Sequence, residues 1–488
     1  MKPSAKHCLL AIALAAIAIA VACAVNPVTG KRQFVLVSES QEIAMGQQYD
    51  PMIVAEFGLY DDPELAAYVD AVGQKLAKLS HRPQLEFHFR VLDSPVMNAF
   101  ALPGGYIYIT RGILAHMNNE AELAMVLGHE IGHVTARHGV EQQTRQTLFG
   151  AGLGIGSILS PEVAQLGGVI QEGLGLLFLK YGRDDENQAD DLGVEYSLRG
   201  GYDADAGARF FEVLDRESKE SGQTLPGWLS THPAPADRVQ HTRALAAERK
   251  PQHPEATRVA EVDLKTQVDG IVFGEDPRQG FMDQGVFKHP GLGFQFRTPS
   301  GWQVQNTPAA VLTAPQDRKT LMQLTLEQSE GLAPQAYAQK VAQGAQATIV
   351  SGAAEKIGGA PAWLGLLRLP TEQGATVDAL VCWVQRSGGM FQFLAQGAID
   401  TQRNALVGSM RSLGDLQDAA AKKIQPNRVE VEPVRGATTF SKAIEGAGTM
   451  PVPAARIALL NNLEPASNLP NGFQLKLVRG SYVPATSQ

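Results

Sequence analysis

The stretch LGHEIGHVTARHG, Leu127–Gly139, decides how the rest of the chain is read. As an α-helix it sets His129 and His133 at i and i+4, so both imidazoles stand on one face about a turn apart. At that spacing two ring nitrogens reach one zinc ion at roughly 2.0–2.1 Å. Glu130 projects beside the pair, where it can take a proton from water and pass it to a leaving amine. Ala121, Leu123, Ala124, Val126 and Leu127 make the preceding turns strongly apolar. Two imidazoles and a carboxylate are costly to bury in such a helix without a partner. A structural histidine pair is the competing reading, and the apolar setting favours a metal.

The pattern is the HExxH of zinc proteases. Zinc held by two histidines needs a third protein ligand and one open position. YGRDDENQADDLG, Tyr181–Gly193, offers it: Glu186 and Asp190 share a helix face at i and i+4. Glu186 is expected as the third ligand and Asp190 as a group bonding a ligand histidine from behind. A solvated acidic helix is the alternative, since Asp184, Asp185 and Asp191 crowd the same turns.

Upstream, helical periodicity runs from Ser38 to Gly58 and from Pro63 to Leu79, and Leu85–Leu92 alternates like a strand. MNAFALPGGYIYITRGIL, Met97–Leu114, turns at Pro103-Gly104-Gly105 and delivers a strand, Tyr106–Thr110, into the histidine helix. Asn98 and Ala99 fall on the adjoining strand, where substrate backbone could be held by strand addition; a plain hairpin is the bland alternative. Gly150–Lys180 is apolar and glycine-rich, but Pro161, Glu162, Gln165, Gln171 and Glu172 cut it below spanning length, so it reads as helices covering the site.

The chain has 488 residues, 44% hydrophobic and 19% charged, with a formal net charge of −8. It is globular, and nothing suggests a nucleic-acid groove. Lys2 and Lys6 precede an apolar run, Leu9–Val21, shorter than the roughly 20 residues of a membrane span; residues 1–22 read as a signal peptide. Ala20-Val21-Ala22-Cys23 resembles a lipobox, making Cys23 a lipidation site, although Ala22-Cys23-Ala24 also suits ordinary cleavage. No Asp follows Cys23, which points to the outer membrane. Of the three cysteines, Cys8 leaves with the signal and Cys382 has no partner, so no disulfide framework exists.

HEIGHVTARHG, GRDDENQADDLG and THPAPADRV (Thr231–Val239) together resemble the HtpX/BepA/CAAX-endopeptidase-like family of zinc gluzincin metallopeptidases. NPVTGKRQFVLVSESQEIAMG and NAFALPGG resemble its soluble periplasmic branch. The likeness runs from about Asn26 to Leu245. It implies one Zn2+ on His129, His133 and Glu186, Glu130 as base, and Asp190 as a supporting group sometimes described as a proton donor. It further implies that His232 can approach the metal and restrain activity, with Arg238 on the same loop. His138 also lies in the family pattern and reads from its position as a packing residue. The helical repeats that end the BepA branch are not found.

The C-terminal half differs. HPGLGFQFRTPSGWQVQN resembles the opening of small antiparallel α+β domains of the PsbP kind. Val429–Val478 resembles a degenerate LysM-type module, a likeness that implies peptidoglycan as a partner, although Ala437 stands where Asp is usual. The expected fold is α+β multidomain. A signal peptide (1–22) precedes a mainly α-helical peptidase domain with a small sheet (23–250), then a linker (251–285). An α+β accessory domain (286–414), a helical linker (415–427), a βααβ LysM-like module (428–480) and a tail (481–488) follow. The expected function is zinc-dependent cleavage of misfolded or unassembled envelope proteins, in the periplasm and anchored to the outer membrane through lipid on Cys23. The alternatives are a cell-wall scaffold or chaperone with latched proteolysis, and a peptidoglycan peptide hydrolase.

Overall fold

The computed structural model describes residues 23–153, 181–220, 232, 235–371 and 375–483. The expected signal peptide and the glycine-rich covering segment beyond residue 153 lie outside them.

The first body opens with a two-stranded ribbon, β1 (Cys23–Val25) and β2 (Arg32–Phe34), then α1 (Glu39–Phe57), started by a Ser38–Gln41 capping box. α2 (Pro63–Ala77) begins with Asp62 as cap and Pro63 in its first turn. β3 (His88–Leu92), β4 (Ala99–Leu102) and β5 (Tyr106–Thr110) form a small sheet in the order β3-β5-β4, with β3 parallel and β4 antiparallel to β5. β5 runs directly into α3 (Arg111–His116), and Asn119 caps α4 (Glu120–Ala136), the histidine helix. All of α4 is buried. It stops at Arg137, whose φ of 63° is left-handed, and α5 (His138–Leu153) leaves in a new direction.

α6 (Arg183–Arg199) carries the acidic motif and lies against α4. Glycines permit the approach: a Cβ on Gly128 would meet the Gly193 carbonyl at 3.1 Å, and one on Gly132 would meet Leu192 at 3.1 Å. α7 (Ala204–Ala208), α8 (Phe210–Glu220) and α9 (Pro235–Arg249) follow.

The expected linker 251–285 is not a loose connector. It forms α10 (Glu261–Val268), and Ala256, Leu264, Val268 and Ile271 enter the same core as α2 and α4. Buried Arg111 donates to the carbonyls of Val272 and Gly274. The polar composition hides one apolar helix face, Leu264 and Val268, and the buried run Ile271–Phe273 that follows it.

The chain then enters a second unit. β6 (Phe281–Asp283), β7 (Val286–His289) and β8 (Phe294–Arg297) make a sheet. β9 (Gln303–Asn306), β10 (Val311–Ala314), β11 (Thr320–Glu327), α11 (Pro334–Gly344), β12 (Thr348–Ile357), β13 (Ala360–Pro370), β14 (Thr376–Arg386) and β15 (Gly389–Gly397) build a seven-stranded antiparallel sheet, order β12-β13-β14-β15-β11-β10-β9. α12 (Ile399–Arg411) packs on it, and β16 (Gly414–Asp415) adds to β8. Phe287, Phe294, Phe296, Phe391 and Phe393 fill one core with Cys382; Trp363 and Trp383 fill another under α11. The polar helix expected over 415–427 does not form. Asp418 instead accepts from the backbone of Ala420 and Ala421 and pairs with Lys288, leaving one 3-10 turn at Ala421–Lys423.

The chain returns at Asn427 beside the point where it left: Phe273 N donates to Asn427 O, and Val429 N to Ile271 O. β17 (Arg428–Pro433), β18 (Thr438–Thr439), α13 (Phe440–Gly446), α14 (Ala454–Leu460), β19 (Asn468–Leu469) and β20 (Gln474–Arg479) form the last unit, with β17 antiparallel to β20. Its apolar residues, among them Phe440, Ile457, Leu459 and Leu477, belong to the first body's core. Buried Lys476 donates to the carbonyls of Ala115 and Met117, between α3 and α4. Among the described residues no helix is long and apolar enough to cross a membrane.

Candidate metal centre

α4 and α6 face each other with their motif residues inward. His129 Nε2 and His133 Nε2 stand 3.0 Å apart, and Glu186 Oε1 lies 3.5 Å from His133 Nε2. His232 Nδ1 closes the group, 3.3 Å from His129 Nε2 and 2.9 Å from Glu186 Oε1. These four residues are buried, and their ligand atoms fall within 4.8 Å of one another, close enough to hold a metal ion. Burial, then the Arg238 charge, brings His129 down to about 4, and burial puts His133 well below its usual range. Two neutral imidazoles present facing lone pairs at 3.0 Å favourably only when a cation or proton lies between them.

Behind the ligands sits a supporting network. Asp190 accepts His129 Nδ1 at 2.9 Å and both Nε and Nη2 of Arg238, with Nε at 2.8 Å. Burial alone would raise the Asp190 carboxyl; Arg238, then His129, outweigh it and hold it well below the usual range. Both oxygens are therefore engaged, which does not suit the expected proton donor. Arg238 also reaches Glu186 at 3.2 Å and stacks on Phe211.

Glu130 is fully buried, and neither oxygen has a hydrogen-bond partner among the described residues; His232 Nε2 is 3.6 Å away. Burial first, and Glu186 further, push its carboxyl up to about 7. The expected substrate pair fares differently. Ala99 is buried in β4, and the Asn98 backbone is taken up by Thr110. The part of β4 nearest the histidines is Ala101–Leu102, which with Pro103, His133 and Tyr181 lines a narrow cleft of about 10 Å³. Alternation placed the strand beside the histidine helix; Asn98 and Ala99 lie three residues before the part of it that shares a cleft with His133.

Three participants escaped sequence reading. His138, expected only to pack, brings Nδ1 to 2.9 Å from His133 Nδ1, and its Nε2 lies 2.9 Å from Gln188 Oε1. Tyr181 stacks on His133 at 4.1 Å between centroids. Glu42 on α1 binds Arg82 and Arg137, fixing the turn at which α4 ends. Only His138 carried a local signal, its position five residues after His133.

Residues 63–246 match Peptidase family M48. The match runs from α2 to α9 and holds every metal-centre residue, but omits α1, whose Glu42 anchors the end of α4. The chain is 33% identical over 252 residues to the Beta-barrel assembly-enhancing protease of Yersinia pestis, covering 49% of this chain and 50% of that protein. It is 30% identical over 224 residues to Mitochondrial metalloendopeptidase OMA1 of Schizosaccharomyces pombe, covering 44% of this chain and 64% of that protein. The chain thus spans about half the length of the first of these relatives. A solution structure of cyanobacterial PsbP from Synechocystis aligns with 28% of this chain and 91% of its own at 16% identity and a TM-score of 0.22. The M48-matching segment contributes the metal centre; the two following units lie outside it.

Proposed function

We propose that this protein is a zinc metalloendopeptidase acting on misfolded or unassembled proteins of the bacterial envelope. The observation that carries the reading is the convergence of His129, His133 and Glu186 beside a buried Glu130 whose oxygens take no hydrogen bond among the described residues. Tetrahedral zinc with ligands at about 2.0–2.1 Å would separate its ligand atoms by roughly 3.3–3.4 Å. The observed separations among these three residues, 3.0, 3.5 and 3.7 Å, bracket that edge, and a nitrogen–oxygen donor set suits zinc. One zinc per chain would be held by His129, His133 and Glu186. When bound, it would supply Lewis acidity toward a peptide carbonyl and toward water.

The side chains account for the rest. Glu130, poised near neutrality by burial, accepts a proton from the attacking water and returns it to the leaving amine. Asp190 acts as a positioning residue: it fixes the His129 tautomer through Nδ1 and is itself fixed by Arg238. Tyr181 and His138 hold the His133 ring in the same way. His232 completes the buried group and would have to move aside for a substrate to reach it. The Ala101–Leu102 edge of β4 would pair with the substrate backbone.

The name of the Yersinia pestis relative supports substrates among envelope β-barrel proteins; a periplasmic location and attachment to the outer membrane through lipid on Cys23 are supported by the sequence of residues 1–23. A second reading concerns only the last unit. Its groove of about 460 Å³, lined by Thr438, Thr439, Lys442 and Asn468, supports a LysM-like grip on peptidoglycan glycans. Zinc content and cleavage of an unfolded protein are the decisive measurements. Wild type is expected to bind one zinc and cut; Glu130→Gln should keep the zinc and lose activity by about 10²–10⁴-fold. His232→Ala should cut faster than wild type. Zinc-loaded wild type and His232→Ala that both leave unfolded protein intact would sink the protease reading in favour of a latched scaffold.

A further inference from the structure

The seven-stranded sheet has two edges in different situations. β9 is turned toward the first body: Asn306 Nδ2 donates to Gln279 O, Gln279 Nε2 reaches Asp93, and Pro308 lies against Gly58. β12, at the far edge, lies six strand spacings away, about 28 Å. Among the described residues it pairs with β13 alone.

Which backbone groups of β12 face outward follows from its turn. Gly358 and Gly359, with φ of 56° and 81°, form a two-residue loop of the I′ kind, so Ile357–Ala360 is a hydrogen-bonded pair. Alternation then makes Glu355–Ala362, Ala353–Leu364 and Ser351–Leu366 bonded pairs. Gly352, Ala354 and Lys356 are left with N–H and C=O pointing away from the sheet. Pro361, opposite Lys356, agrees: it has no N–H to give. No other backbone bond reaches these three residues among those described.

The side chains around these groups are small. Ser351, Gly352, Ala353 and Ala354 are all exposed, and Gly352 must stay bare because a Cβ would lie 2.0 Å from the Trp363 ring. Edges left free are normally guarded by bulges or charge. Here the guards stand at the ends: a bulge at Val350, and Lys356 beside a Glu355–Arg411 ion pair. Between them lies an uncharged slot about five residues long.

We propose that this slot docks an extended segment of a non-native polypeptide substrate as an added strand, held through its backbone. This rests on the protease reading above. Short side chains on the slot tolerate any side chain on the occupant, as a substrate defined by lack of fold requires. Pairing with a second copy fits worse. Centred on Ala353, matched antiparallel strands would pair Gly352 with Ala354 but set Glu355 against Ser351 and Lys356 against the bulge at Val350, so neither charge meets its opposite, and the small patch falls far below the roughly 800 Å² per partner of a stable interface. The slot lies about 28 Å beyond the β9 edge, and that edge meets the first body at Gly58 and, through Gln279, at Asp93 rather than at the metal-centre residues, so a chain engaging both must be longer than eight residues, whose extended reach is at most about 29 Å.

The test uses the full zinc-loaded chain. Ala354→Pro removes one outward N–H and leaves the β12–β13 ladder intact; Ala354→Asp keeps the backbone and adds charge. In a Glu130→Gln background, binding of a fluorescent, reduced and carboxymethylated protein is measured by anisotropy. Both substitutions should weaken it about fivefold to tenfold, the worth of one or two hydrogen bonds. With Glu130 intact, kcat/KM for an eight-residue peptide should not change. Unaltered binding of the unfolded protein in both variants overturns the docking strand. So does equal loss on peptide and protein, or a dimer that Ala354→Pro splits without changing that binding. If no form cuts the peptide, the protease reading fails while the binding result still decides the slot.

Discussion

The two units beyond the M48-matching segment are attached in opposite ways. The unit between β6 and β16 has aromatic cores of its own and touches the first body through a few polar and edge contacts. The last unit, from β17 to β20, has no separate core; its apolar residues complete the one that surrounds α4. Chain order suggests successive domains, but space shows an insertion. The first body closes at Phe273, opens to admit the β-rich unit, and resumes at Asn427 through three backbone hydrogen bonds. Position in a chain is therefore a poor guide to dispensability: the distal segment supports the metal helix, and the nearer one is carried by it.

The comparison breaks most sharply by truncation. A chain ending at Asn427 loses Phe440, Ile457, Leu459, Leu460, Leu469, Leu475 and Leu477 from the shared core. At roughly 1.5–3 kcal/mol per buried side chain, even some of these rival a whole domain's stability of about 5–15 kcal/mol. The truncated protein is expected to show no cooperative melting and no stoichiometric zinc. Next in size is Phe393→Ala, which empties the core of the insertion and should cost about 3–5 kcal/mol there. Calorimetry should show one transition lowered and the zinc-dependent one unmoved; a common shift would mean the units are coupled.

Lys476→Met probes the other side. It leaves the carbonyls of Ala115 and Met117 buried without their donor, at about 1–3 kcal/mol each. The zinc-dependent transition should fall while that of the insertion stays. The smallest effect sharpens the contrast: replacing residues 275–426 by a short Gly-Ser turn should leave zinc content and cleavage of a short peptide within about twofold of wild type, since Phe273 and Asn427 are already hydrogen-bonded neighbours. A tenfold loss would show that the insertion shapes the metal centre.

Much of the centre was legible because it is local. His129 with His133, and Glu186 with Asp190, share faces through helical spacing alone, and Asn119, Ser38 and Asp62 mark helix starts by side-chain chemistry. Less could be read where partners come from afar. His232 and Arg238 followed only from a family likeness, and Tyr181 and Glu42 from nothing local. The segment 251–285 passed for a linker because its charged residues outnumber the six apolar ones that bury. Asp190 could be placed on the right face, behind a ligand histidine, but its engagement by Arg238 could not.

By itself the sequence determined the helical spans around the candidate centre, which of their faces carry histidine and carboxylate, and the alternating strand that precedes them. These follow from periods of 3.6 and 2 acting within one element. Tertiary structure alone decided how closely α4 and α6 approach, through Gly128, Gly132 and Gly193, and so whether Glu186 meets the histidines. It also decided that the last unit belongs to the first core and that β12 is left open. Those outcomes depend on which surfaces bury one another, a matter of shape and register between segments distant in the chain, which no local period encodes.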